Sequence, residues 1–352
     1  MCNIAGFIGR RQAAPILLEM LLRQEGLAGG YFSGICTLHD GKLHMRKVEG
    51  SVKDLLENTD AQELPGTIGI AHTRPDMGGG YSQAHPFVSH DGHLALIANG
   101  HLGHYASCSD RSALAAEIIN QGGGFTSQIN DPGQNVVEPR PRLPNGQYIH
   151  VSDLTCQLIA REIDQCGSVA DGIATATSML PEEVVSLILH TMTPDRINVT
   201  RLNQPLVIAR QDDETYLATS TMGFGFESPD WFSVFPASST GAVTRHDMIV
   251  RPLSIQGKKC CYHIPYVTAY EIIKNTLKKP EGACIQDLKD ATSNLWPPGS
   301  APQKDFLVYE ILRLLELDGT LTQKNVCRTS VHSGRTAPHT RFFMKSNSHK
   351  PK

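Results

Sequence analysis

The chain opens Met1-Cys2-Asn3-Ile4-Ala5-Gly6-Phe7-Ile8-Gly9, and the reading of this stretch decides the fold. From Asn3 to Ile8 it has the composition of a buried strand, and it starts almost at the first residue, where chains usually fray. No basic region precedes it, so it does not read as a signal peptide. Removal of Met1 leaves a thiol and an α-amine on the same residue, Cys2. A free thiol has a pKa of about 8.5 and an α-amine one of about 7.7–8.0. A neutral amine can therefore act as base for its own thiol, and a buried strand holds such a nucleophile in position. Cys2 is the candidate nucleophile. The bland alternative is a second residue that is cysteine by chance, and the rest of the chain has to decide between the two.

Outward from this strand, residues 15–25 form a helical pattern that begins at Pro15 and stops at Gly26. Gly29-Gly30-Tyr31-Phe32-Ser33-Gly34-Ile35 is a glycine-rich turn into a strand, and further strands are expected near 43–46, 68–72 and 94–98. A helix over 109–120 ends at Gly122-Gly123-Gly124. Residues 131–146 carry Pro132, Pro139, Pro141 and Pro144 and read as an inserted loop. Helices are expected again at 152–165 and 181–191. A hairpin follows, with strands at 206–209 and 215–219 around Gln211-Asp212-Asp213-Glu214, and strand-like segments continue to about 255. Past Gly257 the pattern turns helical at 267–277, 284–291 and 306–317. Beyond Asp318 no acidic residue occurs, whereas Lys324, Arg328, Arg335, Arg341, Lys345, Lys350 and Lys352 are basic. The expected organisation is a domain over 1–257 with the proline-rich insertion 131–146, a small subdomain over 258–345 of three helices and a hairpin, winged-helix-like in shape, and a basic tail over 346–352.

The bulk numbers narrow the function. The chain has 352 residues, 40% of them hydrophobic and 19% charged, with a formal net charge of -3. No apolar run approaches the ~20 residues of a membrane span. Nine cysteines at irregular spacing contain no C-x-x-C pair, which excludes zinc-ribbon and thioredoxin readings and points to a reduced, cytoplasmic protein. Adjacent Cys260 and Cys261 read as packing residues. His85, His90, His93, His101 and His104 crowd one region but form no H-E-x-x-H pair, so they read as turn and surface histidines, and no metal is expected. The acid-free tail has no interleaved aromatics besides Phe342-Phe343 and reads as solvated, not as a nucleic-acid surface.

Four segments, in order, carry a family resemblance. Met1 to Gly9 resembles the M-C-G-I-x-G-x-x-G start of class II glutamine amidotransferases. Gly69-Ile70-Ala71-His72-Thr73-Arg74 resembles their G-x-A-H-T-R, Ala84-His85-Pro86 their A-H-P, and Ala98-Asn99-Gly100 their H-N-G. Order and spacing agree across residues 1–105, nearest to the glutaminase half of glutamine–fructose-6-phosphate aminotransferase. A weaker echo continues at Pro205-Leu206-Val207-Ile208 and Leu217-Ala218-Thr219-Ser220. The resemblance implies an α+β fold, the four-layer αββα sandwich of N-terminal-nucleophile hydrolases, and no cofactor. It makes Cys2 the nucleophile, and the Asn99 side chain and Gly100 N–H the oxyanion donors. Arg74, with Thr73 beside it, becomes the grip on a substrate carboxylate.

The departures from that pattern fall on substrate recognition. Pro75-Asp76-Met77-Gly78-Gly79-Gly80 stands where the family has a tryptophan and then A-T-H-G, and Gly29 replaces an arginine. The family's T-D-T-E, whose aspartate holds the substrate ammonium, is missing. Alignment from Ile159-Ala160 puts Thr155 at that place, with Asp153 two residues away as either the substitute or a helix cap. Residues 258–352 do not resemble the two sugar-phosphate isomerase repeats of the full synthase. The leading expectation is therefore an amidohydrolase working through a thioester on Cys2. Its substrate is a small-molecule amide, glutamine or a relative, and any ammonia-accepting synthase lies on a separate subunit. The alternative is a non-catalytic amidotransferase-like fold that senses a ligand or scaffolds a partner.

Overall fold

A computed structural model describes residues 2–101, 103–105, 109–131, 140–255, 264–297, 301–330 and 333–345. The first part of the chain runs β1 (Asn3–Ile8), α1 (Ala13–Gln24), β2 (Phe32–His39), β3 (Lys42–Val48), α2 (Val52–Asn58), β4 (Ile68–Arg74), β5 (Phe87–Val88), β6 (Leu94–His101) and α3 (Arg111–Asn120). Next come α4 (Val151–Cys166), α5 (Val169–Met179), β7 (Glu183–His190), β8 (Arg196–Arg201), β9 (Val207–Gln211), β10 (Glu214–Ala218), β11 (Trp231–Val234), β12 (Ser239–Thr244) and β13 (Met248–Pro252). The last part holds α6 (Tyr266–Leu277), α7 (Ile285–Ala291), α8 (Ala301–Leu317), β14 (Leu321–Thr329) and β15 (Thr336–Met344).

Two antiparallel sheets carry the first two parts. One has seven strands in the order β11-β9-β10-β1-β4-β2-β3, the other six in the order β13-β12-β8-β7-β6-β5. Because side chains alternate along a strand, each strand feeds two cores. On β1, Ala5 and Phe7 pack with Leu17 and Leu21 of α1, while Ile4 and Ile8 face the second sheet. On β6, Ala95 and Ile97 face the first sheet, while Leu94 and Leu96 pack under Leu154 and Leu158 of α4. Helices therefore flank a pair of face-to-face sheets. This is an α+β fold, and the strand β1 expected from the opening residues lies in the middle of its sheet, between β10 and β4.

Most of the local readings match the structure. The hairpin β9–β10 turns on Asp212 and Asp213 with φ of 54° and 63°, the left-handed pair that a two-residue I′ turn requires. Residues 181–191 are a correction: they form strand β7 instead of a helix. Pro181 followed by two glutamates imitates a helix start. The Val-Val-Ser-Leu-Ile-Leu run is buried on both faces, with Val185, Leu187 and Leu189 against the first sheet and Ile188 against the α4–α5 layer, so it lacks the alternation that marks a strand. Helix α5 just before it went unread because Gly172 and several Thr and Ser residues lower its helix propensity; Ser168 caps it by accepting from the Asp171 N–H. Helix α2 also went unread, although Ser51 and Asp54 close a reciprocal capping box at its start.

Helices α6–α8 and the hairpin β14–β15 share one apolar cluster, with Ile273, Leu288, Ile311, Leu312, Leu315 and Phe342 in it together with Leu27 and Met222 from the preceding part. Thr221 Oγ1 donates to Glu310 of α8 at 2.9 Å. Gly257, Cys260, Cys261, Pro132, Pro139 and the tail 346–352 lie outside the described residues, as does the His104 side chain. Among the described residues no helix is long and apolar enough to cross a membrane.

Candidate active site

Cys2 immediately precedes β1 and is a free, partly buried cysteine. Its backbone nitrogen donates to Asn99 Oδ1 at 2.8 Å, so one hydrogen bond ties the first sheet to β6 of the second. Asn99 is wholly buried, and its Nδ2 has no partner among the described residues. An amide with its oxygen engaged and its nitrogen unsatisfied carries an unmet donor. Asn99 is not itself among the residues lining the adjacent cavity, whereas its neighbours Ala98 and Gly100 are. Burial raises the Cys2 thiol pKa, while the amino-terminal charge and Arg74 pull it down.

Gly100 has φ +141°, and a Cβ there would stand 2.2 Å from the Glu183 carbonyl oxygen. Only glycine fits. Asn99-Gly100 is thus not the hairpin turn that this dipeptide usually marks; both residues belong to β6, paired with Val185 and Val184 of β7.

Arg74 ends β4 and is 2% exposed. Its guanidinium lies 4.0 Å over the Phe32 ring, Nη2 donates to the Gly78 carbonyl at 3.0 Å, and Nε has no partner among the described residues. Burial lowers its pKa to about 10, which still leaves it charged at neutral pH. A cavity of about 360 Å³ opens between Cys2, Arg74, Pro75, Met77, His85, Ala98, Gly100, His101, Arg140, His150, Val151, Ser152 and Val184. Its size lies at the low end for small-molecule pockets.

Two expected site residues, Thr73 and Asp153, are engaged elsewhere in the fold. Thr73 points away from Arg74, as neighbours on a strand do; its hydroxyl accepts from the Gly30 N–H at 2.8 Å and lies 3.0 Å from Ser33 Oγ. Asp153 is wholly buried inside the fold. Its Oδ2 accepts from the Thr126 and Ser127 N–H groups at 2.8 and 2.9 Å, and its Oδ1 accepts from Gln157 at 3.0 Å. It is not the cap of α4 either: His150 caps that helix, accepting from the Ser152 N–H. Neither Thr73 nor Asp153 is in the cavity wall.

Sequence reading also placed His85 among surface histidines, whereas it is 3% exposed and lines the cavity. His72 and His85 have ring centroids 4.1 Å apart, and His85 and His150 5.2 Å. His72 Nε2 lies 3.1 Å from the Ala98 carbonyl, which can only accept, so the proton sits on Nε2. Burial first, then neighbouring cations, holds all three neutral: His72 falls to about 3, His85 and His150 well below the usual imidazole range. Arg74 acts on all three, Lys47 on His85 and His150, and Arg140 on His150. Arg140, from the stretch read as an insertion, is the second guanidinium of the cavity, with Nε and Nη1 buried and unpartnered among the described residues. Its signal was Pro139-Arg140-Pro141, a basic residue held in stiff backbone. No group of three or more His, Cys, Asp or Glu among the described residues is arranged to hold a metal ion.

The hairpin β14–β15 reaches the rim of this cavity. Ser333 donates to Asp76, beside the cavity residues Pro75 and Met77, and Arg335 pairs with Glu49. Tyr31 donates to the Arg328 carbonyl at 3.0 Å.

The chain is similar to proteins of known kind. No family model matches the chain. The chain is 26% identical over 252 residues to a glutamine–fructose-6-phosphate aminotransferase of Pyrococcus horikoshii, a match over 66% of this chain and 37% of that protein. It is 32% identical over 230 residues to the protein of the same name from Chlorobaculum tepidum, over 62% of this chain and 32% of that one. The match thus spans about a third of the length of these relatives. Among solved structures, glutamine phosphoribosylpyrophosphate amidotransferase from B. subtilis superposes with a TM-score of 0.59 at 18% identity, over 92% of this chain and 66% of that one. An allosteric regulatory enzyme of purine biosynthesis superposes with a TM-score of 0.55 at 21% identity, over 72% and 50%. At these identities the superpositions establish a shared fold.

Proposed function

The chain carries a class II glutamine amidotransferase domain, distantly homologous to the glutaminase domains of glutamine–fructose-6-phosphate aminotransferase and phosphoribosylpyrophosphate amidotransferase, and from that premise we propose that it hydrolyses a small carboxamide through a thioester on Cys2. The observation that carries the proposal is the Cys2–Asn99 hydrogen bond, which fixes the nucleophilic residue beside an unsatisfied amide donor. With Met1 removed, the α-amine of Cys2 takes the thiol proton, and Sγ adds to the amide carbon. Asn99 Nδ2 and the Gly100 N–H donate to the oxyanion, each such donor contributing roughly 2.7–4 kcal/mol. The C–N bond breaks, and the nitrogen leaves as ammonia carrying the proton held by the amine. Water then adds to the thioester, the C–S bond breaks, and the carboxylic acid and thiol are released.

Arg74 is the residue proposed to hold the substrate carboxylate. The organisation proposed is a catalytic domain to about residue 257 followed by a subdomain over 258–345, with ammonia passing to a synthase on a separate chain where one exists. The free cysteines fit a reducing compartment. Ammonia release from L-glutamine, glutaramate and N-acetyl-L-glutamine, compared between the parent protein and Cys2→Ala, tests the hydrolase reading. Release that depends on Cys2 is expected. Release that Cys2→Ala leaves unchanged, or none from any of the amides, sinks it.

One observation favours a second reading. Asp153 is engaged within the fold, so the cavity has lost the acidic group expected for a glutamine site. A retired amidotransferase fold that senses a ligand predicts binding or complex formation that survives Cys2→Ala together with an absence of turnover.

A further inference from the structure

The charge pattern of the cavity wall differs from what a zwitterionic amino acid requires. Free glutamine brings a carboxylate and an ammonium, and a buried ammonium without a counter-charge is strongly disfavoured. The described wall contains two guanidiniums, Arg74 and Arg140, and no carboxylate. Arg74 is 2% exposed with Nε unpartnered, and Arg140 has Nε and Nη1 buried and unpartnered. Val151 and Ser152 bring the first turn of the sixteen-residue helix α4 to the same wall, an end whose dipole favours anions.

The carboxylates nearby have partners: Glu183 Oε2 lies 3.8 Å from Nε2 of His101, itself a wall residue, and Glu182 Oε2 accepts from Thr155 Oγ1 at 3.3 Å. Asp153 is held by two backbone N–H groups and Gln157, Asp76 by the Gly78 N–H and Ser333, and Glu49 by Arg335. The side-chain acceptors of the described wall include the Ser152 hydroxyl and the imidazoles of His85 and His150. His85 has both ring nitrogens unpartnered, yet Arg74 and Lys47 disfavour a cation on that ring, and Arg74, Arg140 and Lys47 do so on His150. An ammonium placed between these rings meets the same field.

Resting on the reading of this cavity as the substrate site, we propose that its ligand is a carboxamide bearing a carboxylate and no ammonium group. Arg74 takes the carboxylate. Arg140 takes an acceptor oxygen on the α substituent, such as the carbonyl of an N-acylated α-nitrogen, and the carboxamide end lies at Cys2. Arg140 thereby becomes the residue that selects against free glutamine.

Binding to Cys2→Ala, measured by calorimetry, tests this separately from turnover. The probes are L-glutamine, glutaramate (the same molecule without the ammonium) and N-acetyl-L-glutamine. Glutaramate and N-acetyl-L-glutamine are expected to bind at least about tenfold more tightly than L-glutamine. Arg140→Gln, which keeps bulk and removes charge, is expected to bring N-acetyl-L-glutamine to within about threefold of L-glutamine. L-glutamine binding as tightly as the other two overturns the proposal, as does binding of none of the three, and neither result depends on the Arg140 variant folding. Cys2-dependent hydrolysis restricted to L-glutamine overturns this proposal and leaves the hydrolase reading standing. Binding of glutaramate without any turnover has the opposite consequence.

Discussion

The Cys2 backbone nitrogen and the Asn99 side chain belong to different sheets and are joined by a single 2.8 Å hydrogen bond in which Asn99 accepts. On the proposed reading Asn99 has two separable duties: its oxygen positions Cys2, and its nitrogen is left to meet the substrate.

Asn99→Asp separates these duties, because it keeps an acceptor for Cys2 and loses the Nδ2 donor. The expected result is a fall in kcat of roughly 10²–10³-fold for the amide that is turned over, together with a lower melting temperature because a carboxylate replaces a wholly buried amide. A fall of less than about tenfold removes Nδ2 from the oxyanion role.

Gly100→Ala tests the backbone beside it. A methyl group here meets the Glu183 carbonyl oxygen at 2.2 Å and must also adopt φ +141°. A loss of about 3 kcal/mol or more is expected in chemical denaturation, together with loss of activity. Unchanged stability contradicts the close approach of β6 to β7.

The buried histidines make a pH prediction. His72 has its pKa lowered from 6.5 to about 3, and His85 is lowered as well. Below about pH 6.5 the unfolded chain takes up protons that the folded chain refuses. Stability therefore falls as pH drops from about 6.5 toward 3, by up to roughly 1.4 kcal/mol per pH unit for each histidine. Denaturation curves between about pH 4 and 7 measure the slope, and His72→Asn should make it shallower. An unaltered slope removes His72 from the account.

Glu25 acts with the opposite sign. It is buried, accepts from the Val52 N–H at 2.5 Å, and burial raises its pKa from 4.5 to about 7. The folded chain holds a proton that the unfolded chain releases, so stability falls as pH rises from about 4.5 through 7 and then levels off. Glu25→Gln keeps the acceptor and removes the charge. Its stability relative to the parent should be greater at about pH 8 than at pH 5, by an amount of order 1–3 kcal/mol; the same difference at both values excludes Glu25 as the titrating group.

Legibility followed range. Strand β1, helix α1, the hairpin β9–β10 and helix α4 were readable because an apolar run, a helix boundary or a left-handed turn is written in adjacent residues. Strand β7 was misread because its two-sided burial, which erases alternation, is a property of the layers packed on its faces, the first sheet and the α4–α5 helices. The motifs around Cys2, Arg74 and Asn99-Gly100 were visible by resemblance, whereas Arg140 was assigned to an insertion and His85 to the surface.

The amino-acid sequence by itself determined the nucleophile candidate, the strand behind it, and the glycine and asparagine suited to an oxyanion site, because each depends on residue type and short-range order. The tertiary structure alone decided what surrounds that nucleophile. It turned Thr73 into β4's contact with Gly30, drew Asp153 onto the N–H groups of Thr126 and Ser127, and brought Arg140 and His150 to face Arg74 and His85. Charge in a cavity depends on which distant side chains share a wall and which have partners elsewhere, and chain packing sets both.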